Sequence, residues 1–324
     1  MTLSVIKENP AVADLPLTYA IELLDLSAIS ITGIDKSKYL QGQVTCDVDS
    51  LAEQPVLCGA HCNAKGKVFS CFRLFNYHNS YLLFQHKSTI DASLSELKKF
   101  AVFAAVDITN DHNLAFHALV GEQAKQLIQQ KFNQVPDHVS PVHHNEDVTV
   151  VYLPGSVERY LLISNKEHSE ALMTCFNLPT FSSAVWNLLE IQQGFPLLHE
   201  HSITEYVPQM LNLQAINGIS FTKGCYLGQE TVARMQYLGK NKKALFSLSA
   251  NDYKLTSAPI IEKKLGENWR KAGDVISFYH SQNNHIVIQA VLARDTDDST
   301  PLRIKDESNC KLSVNQLPYS LTQA

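Results

Sequence analysis

One short segment of the sequence gathers the side chains best suited to chemistry. Residues 221–234 read Phe-Thr-Lys-Gly-Cys-Tyr-Leu-Gly-Gln-Glu-Thr-Val-Ala-Arg. Gly224 and Gly228 bracket Cys225 and predict a tight loop, because glycine allows positive φ and close backbone approach. The good helix formers of residues 229–235 predict a short helix directly after that loop.

Cys225 is the candidate reactive group of this segment. It would lie just ahead of a helix N-terminus and two residues from Lys223, and both neighbours offer positive charge to a thiolate. An inert cysteine buried in a glycine-rich turn is the alternative. Because a lysine, a glutamate and an arginine crowd around the cysteine within residues 223–234, we favour a functional site.

Residues 223–230 resemble the signature of the YgfZ family, whose members are described as folate-binding, tRNA-modifying proteins. The motif positions are Lys223, Gly224, Cys225, Tyr226, Gly228, Gln229 and Glu230. The family is similar to the T-protein of the glycine cleavage system, a tetrahydrofolate-dependent aminomethyltransferase. Weaker landmarks follow in the family's order, at residues 31–33, 39–45, 63–67, 194–196 and 207–209. The resemblance therefore covers nearly the whole chain.

This resemblance implies an α+β, T-protein-like fold with two interleaved α+β lobes and a C-terminal β-barrel. The lobes and the folate-binding region would occupy residues 1–240, and the barrel residues 241–324. The local patterns agree, because strand–helix units and antiparallel hairpins favour an α+β fold over a doubly wound parallel sheet. From Ala244 onward, short strands alternate with polar turns, as in a small barrel or sandwich.

The hydrophobic periodicity places the individual elements along the chain. Strands are predicted at residues 28–31, 56–62, 67–75, 81–84, 114–120, 148–153, 160–164, 244–248, 273–279 and 286–292. Helices are predicted at residues 35–41, 122–132, 166–176 and 183–193, with a further helix headed by a capping box of Ser93 and Glu96. Residues 136–147 are predicted to form a loop.

The resemblance implies bound tetrahydrofolate and names its contacts. A folate pocket needs an aromatic or apolar wall, a polar group for the pterin edge and a cation for the carboxylates. We assign Trp186, Leu26, Gln192 and Arg234 to it. Trp186 matches a folate-contacting tryptophan of the family and would lie beside Glu190, off the apolar stripe of its helix, although a core tryptophan is the alternative. Leu26 replaces a second tryptophan, and Gln192 replaces a pterin-contacting glutamate of the T-protein.

A third departure concerns the reaction. The T-protein carries an aspartate pair, the second of which activates the transfer, and the matching positions here are Ser70 and Cys71. Without a carboxylate there is no evident base to accept a proton from an attacking amine. We therefore expect no aminomethyl transfer, and the sequence leaves open whether the chain is an enzyme. A folate-dependent one-carbon transferase remains the alternative function.

Composition bounds the remaining possibilities. The chain has 324 residues, of which 45% are hydrophobic, and this length exceeds what one ordinary core accommodates. Its formal net charge is −5. That charge argues against an RNA-binding factor and against direct tRNA binding. No signal peptide is evident, the longest apolar run (residues 100–106) is too short to cross a membrane, and the seven cysteines suggest no disulfide framework. We expect a cytoplasmic protein with reduced thiols.

A group of thiols and an imidazole raises the question of a metal site. Cys58, His61, Cys62 and Cys71 lie on two predicted neighbouring strands. Alternate residues of a strand point to opposite faces, so Cys58 and Cys62 would share a face that His61 does not. We therefore predict no metal. The resemblance instead implies a role in maintaining iron–sulfur enzymes, including the tRNA methylthiotransferase as a partner, with Cys225 as the reactive group and Lys223 as its activator.

Overall fold

The computed structural model describes residues 4–239, 241–253, 258–307 and 310–321. The strands are β1 (Val5–Ile6), β2 (Thr18–Glu22), β3 (Leu26–Thr32), β4 (Val56–Cys62), β5 (Val68–Tyr77), β6 (Ser80–His86), β7 (Asp107–Asn110), β8 (Leu114–Gly121), β9 (Val142–His144), β10 (Val148–Leu153), β11 (Arg159–Asn165), β12 (Thr180–Phe181), β13 (Lys243–Ala250), β14 (Ile261–Leu265), β15 (Asn268–Lys271), β16 (Asp274–His280), β17 (Ile286–Ala293), β18 (Leu302–Ile304) and β19 (Lys311–Asn315). The α-helices are α1 (Lys36–Gln41), α2 (Ile90–Phe100), α3 (Ala124–Phe132), α4 (Lys166–Phe176), α5 (Ser183–Gln193) and α6 (Gln229–Leu238). Short 3-10 helices include Val48–Ala52, Pro208–Leu211 and Leu213–Ile216.

The first two sheets interleave along the chain. One sheet has the strand order β1-β12-β2-β8-β11-β10-β9, and the other has the order β4-β5-β6-β3-β7. The chain begins in the first sheet, crosses to the second for β3 to β7, and returns to the first for β8 to β12. The predicted pair of interleaved α+β lobes is confirmed.

The third sheet is built from the C-terminal part of the chain. Its strand order is β15-β14-β18-β19-β13-β17-β16, and every pairing is antiparallel. The sheet curls into a half-barrel over one apolar core that includes Leu248, Ile261, Ile288 and Leu312. The predicted C-terminal β-barrel is therefore found in this half-barrel form.

Helix α5 occupies the centre of the molecule. Its core cluster draws Phe84 from the second lobe, Leu161 from the first and Tyr279 from the half-barrel. Trp186 and Glu190 are as buried as the predicted apolar stripe, so α5 is enclosed on nearly all sides, as expected for a helix at the centre of a domain. The prediction that Trp186 lies to one side of a single buried stripe is corrected accordingly.

Some elements have the predicted bounds and others differ. The bounds of β4, β10, α4 and α5 are those predicted. Residues 136–147 were expected to form a loop but contain β9, which becomes a strand by pairing with β10. Helix α2 begins at Ile90, after a 3-10 turn at Lys87–Thr89, rather than at Ser93.

The longest apolar run lies at the surface. Residues 100–106 complete α2 and form the exposed turn that leads to β7. Phe103 and Val102 are exposed there, as is Ile34. None of the helices within the described residues has the length and apolar character needed to span a bilayer.

Candidate functional site

Lys223 is directed into the protein rather than toward Cys225. Its ammonium donates hydrogen bonds to the carbonyl oxygens of Gln41 at 2.8 Å, Val44 at 2.6 Å and Cys46 at 2.7 Å. Burial lowers the pKa of Lys223 to about 8. This geometry favours a structural role for Lys223 over the predicted activation of the Cys225 thiol, because the charge is already bound to three carbonyl dipoles at and after the end of α1.

Cys225 lies on the surface at the tip of the signature loop. It is exposed, as is Cys175, whereas the other five cysteines are buried or partly buried. A Cβ at the neighbouring Gly224 would meet no atom within 4 Å, so the loop is open at this point. The alternative of a cysteine buried in the turn is thereby excluded. Tyr226 lies beneath the loop with its ring 4.9 Å from the Lys223 Nζ.

Gly228 fixes the loop against the second lobe. Its φ is +84°, and a Cβ there would lie 2.5 Å from the carbonyl oxygen of Asn63. Gly66 packs from the opposite side, with its own added Cβ 2.9 Å from Thr231. The turn between β4 and β5 therefore packs directly on the signature, which brings two landmarks of the sequence into contact.

Helix α6 starts at Gln229 with Gly228 as its N-cap, close to the predicted position. Gln229 donates its backbone N–H to Tyr226. Glu230 and Arg234 form an ion pair of 2.9 Å between Oε1 and Nη2, with both side chains mostly exposed. The structure thus gives Arg234 a surface position, and Arg234 is not among the residues that line the cavity described next.

A cavity of about 530 Å³, the central cavity, lies between the two lobes. Strands β4 and β5 supply one wall, β10 and β11 a second, and the end of α5 with the C-terminal segment a third. The lining side chains include Cys58, Arg73, Tyr152, Arg159, Gln193, Phe195 and Tyr319. The volume lies within the range of ordinary small-molecule sites, and aromatic groups surround a few polar ones.

Arg73 and Arg159 line this cavity and share one carboxylate that lies behind its wall. Glu190 is fully buried and accepts hydrogen bonds from Arg73 Nη2 at 2.7 Å and from Arg159 Nη1 at 2.6 Å. Arg73 comes from the second lobe and Arg159 from the first, so the carboxylate joins the lobes electrostatically. Sequence reasoning missed this triad, although an arginine inside an apolar strand such as β5 signals a buried charge that requires a partner.

Aromatic rings support both guanidinium groups. Arg73 Cζ lies 3.9 Å from the centre of the Phe195 ring, and Arg159 Cζ lies 5.0 Å from that of Trp186. Cations over aromatic faces are stabilised by the ring quadrupole. Burial lowers the pKa of Arg159 from its usual range, and the charge of Glu190 opposes that shift.

Leu26 and Trp186 lie together, as the folate assignment requires, but in a narrower space. They line a gap of about 10 Å³ with Cys71, Arg73, Glu190 and Phe195. A gap of that size holds about one water molecule at most, and no pterin ring. A pterin could therefore reach the Trp186 indole only if this gap opened. Of the paired glutamines at the end of α5, it is Gln193 that lines the large cavity, not Gln192.

The positions that match the T-protein aspartates carry no base. The Ser70 hydroxyl bonds that of Ser93 at 3.3 Å, and burial raises the pKa of the Cys71 thiol well above its usual range. The prediction that Cys58 and Cys62 share a strand face that His61 does not is confirmed. Cys58, Cys62 and Cys71 contribute to one cluster, whereas His61 bonds Ser93 on the opposite face.

The three sheets and their interleaved order form a T-protein-like fold. A solved structure of the glycine cleavage system aminomethyltransferase T from Bartonella henselae matches with a TM-score of 0.72. That match covers 96% of this chain and 86% of the other at 13% identity, so it establishes the fold alone.

Sequence comparison gives the family. The model described as "YgfZ, beta-barrel domain" matches residues 241–307. The tRNA-modifying protein YgfZ of Colwellia psychrerythraea is 55% identical over 99% of both chains. The protein of that name from Yersinia enterocolitica is 40% identical over 96% of this chain and 95% of its own. The chain belongs to the YgfZ family.

Proposed function

We propose that this protein binds a reduced folate in the central cavity and supports tRNA modification by iron–sulfur enzymes in the cytoplasm, including the enzyme that methylthiolates tRNA. The cavity between the lobes, with Arg73 and Arg159 in its wall and Glu190 behind them, is the observation that carries the folate part of the proposal. The tRNA part is supported by the printed names of relatives that match over nearly their whole length.

The residues around the cavity suit a folate. Tyr152, Phe195 and Tyr319 offer aromatic faces, Gln193 offers an amide, and the arginines offer positive charge. These groups match the pterin and benzoyl rings, the polar pterin edge and the anionic tail of a folate. When bound, tetrahydrofolate supplies a carrier for one-carbon groups, while the protein residues bind and orient it.

Cys225 has a separate place in this proposal. It is exposed on the signature loop and does not line the cavity. The glycine beside it leaves the loop open to close approach by another molecule. We propose that the cavity holds folate while Cys225 meets a client protein at the surface.

Aminomethyl transfer is not part of the proposal. Ser70 and Cys71 stand where the T-protein aspartates would be, and a buried thiol with a raised pKa is a poor proton acceptor at neutral pH. Incubation with the glycine cleavage partners should therefore yield no methylene-tetrahydrofolate.

A deletion strain tests the cellular role. Methylthiolated nucleosides in its tRNA are measured by mass spectrometry, before and after complementation. The wild-type gene and Cys175→Ala should restore the modification, whereas Cys225→Ala should not, and Cys175 serves as the matched exposed control. Full modification in the deletion strain would refute the tRNA part of the proposal.

A further inference from the structure

The charges in the wall of the central cavity do not cancel. Arg73 and Arg159 share the single carboxylate of Glu190, which leaves one positive charge in excess. Both guanidinium groups are buried, with Arg159 only 2% exposed. Glu53 also lines the cavity, but it is exposed and forms no ion pair with either arginine among the described residues. A buried excess charge is costly unless a counter-ion compensates it.

Both arginines also retain hydrogen-bond donors. The Nε of Arg159 is buried and has no hydrogen-bond partner within the described part of the chain. Arg73 donates one hydrogen bond, from Nη2, to the described residues. A guanidinium offers five N–H donors in a planar fork that fits a carboxylate. The two arginines therefore keep unused donors beside the excess charge.

We infer that Arg73 and Arg159 form a subsite for one carboxylate of an aromatic ligand in the central cavity. A single negative charge balances the wall, which favours a carboxylate over a phosphate dianion. The rings of Tyr152, Phe195 and Tyr319 line the same cavity and contact the body of the ligand. Identifying this ligand as a folate, whose glutamate tail carries the carboxylate, rests on the proposed function.

Two small probes test the subsite directly. One is 4-aminohippurate, the aminobenzoyl group of folates joined to glycine with one carboxylate, and the other is its neutral primary amide. Calorimetry on the full chain should show stronger binding of the carboxylate. Arg73→Met should weaken binding of the carboxylate probe by about tenfold or more and binding of the amide probe by less than about twofold.

Two further variants separate charge from structural damage. Arg303→Met is the matched control, because Arg303 also pairs with a glutamate, Glu262, at 2.8 Å and lies over a tryptophan ring, but in the half-barrel. It should change neither affinity. Glu190→Gln raises the excess charge and should strengthen carboxylate binding, whereas damage to the cavity would weaken it. If the Glu190→Gln variant does not fold, binding of the two probes to the Arg73→Met variant still tests the carboxylate subsite.

The outcomes separate this subsite from the proposed function. Equal binding of both probes to the wild type, or equal loss of both in Arg73→Met, would overturn the subsite. Arg73-dependent binding of 4-aminohippurate without binding of a reduced folate would retain the subsite and reject folate. Folate binding that Arg73→Met leaves unchanged would retain the proposed function and reject the subsite.

Discussion

The Lys223 Nζ lies 2.6 Å from the carbonyl oxygen of Val44, a residue 179 positions earlier in the chain. With its bonds to Gln41 and Cys46, this contact ties the signature loop to the end of α1. The lysine of the signature thus has a structural role, while the cysteine two residues later is exposed at the surface.

We predict that Lys223→Met destabilises the protein without changing Cys225 reactivity. Three carbonyl oxygens lose a charged donor, which should lower the free energy of unfolding by about 3 kcal/mol. Urea denaturation measures this loss. Site-resolved alkylation should show Cys225 and Cys175 labelled before the other five cysteines, with an unchanged ratio between the two in the variant. A selective fall at Cys225 would restore Lys223 as its activator.

Alanine substitution should destabilise the protein at one signature glycine and leave it almost unchanged at the other. Gly228→Ala places a Cβ 2.5 Å from the Asn63 oxygen at a φ of +84°, so we expect a loss of at least about 2 kcal/mol. Gly224→Ala meets open space and should change stability by less than about 0.5 kcal/mol. Thermal unfolding compares the two. If Gly224→Ala keeps its stability but fails to restore tRNA modification, a partner must approach the loop closely.

Buried histidine makes the protein sensitive to acid. Burial lowers the pKa of His61 to about 3 from an ordinary 6.5, so the unfolded chain binds a proton between these values that the folded chain does not. The contribution of the neutral His61 to the free energy of unfolding is therefore present above pH 6.5 and is lost as the pH falls toward 3. The loss is about 2 kcal/mol between pH 7 and 5. Urea denaturation at both pH values should show that the His61→Gln variant loses less unfolding free energy than the wild type. Identical losses in wild type and variant would contradict this assignment.

The two tryptophans should report different events. Trp186 is 1% exposed behind Arg159, whereas Trp269 lies on β15 in the half-barrel and is partly exposed. Acrylamide should quench Trp269 alone, and Trp269→Phe should abolish that response. A reduced folate should alter Trp186 emission through the Arg159 wall. Folate-dependent emission that survives in Trp186→Phe would place the ligand elsewhere.

Local patterns predicted the elements better than the partnerships between them. Helix α5 was bounded correctly because its apolar spacing and the glycine after it are local signals. The partners of Lys223 and Glu190 could not be foreseen, since Gln41 lies 182 positions and Arg73 lies 117 positions away. A surplus charge in an apolar strand indicates that a partner exists, but only the assembled sheets show which one.

The interleaving of the lobes has a consequence for synthesis on the ribosome. The second sheet, β3 to β7, is contiguous and can pair fully once Asn110 has emerged. Strand β2, in contrast, waits for Gly121 to pair with β8 on one edge and for Phe181 to pair with β12 on the other. The nascent chain therefore carries β2 with at least one unpaired edge until Phe181 is made. Unpaired strand edges favour aggregation, so the first lobe is most exposed to misassembly during that interval.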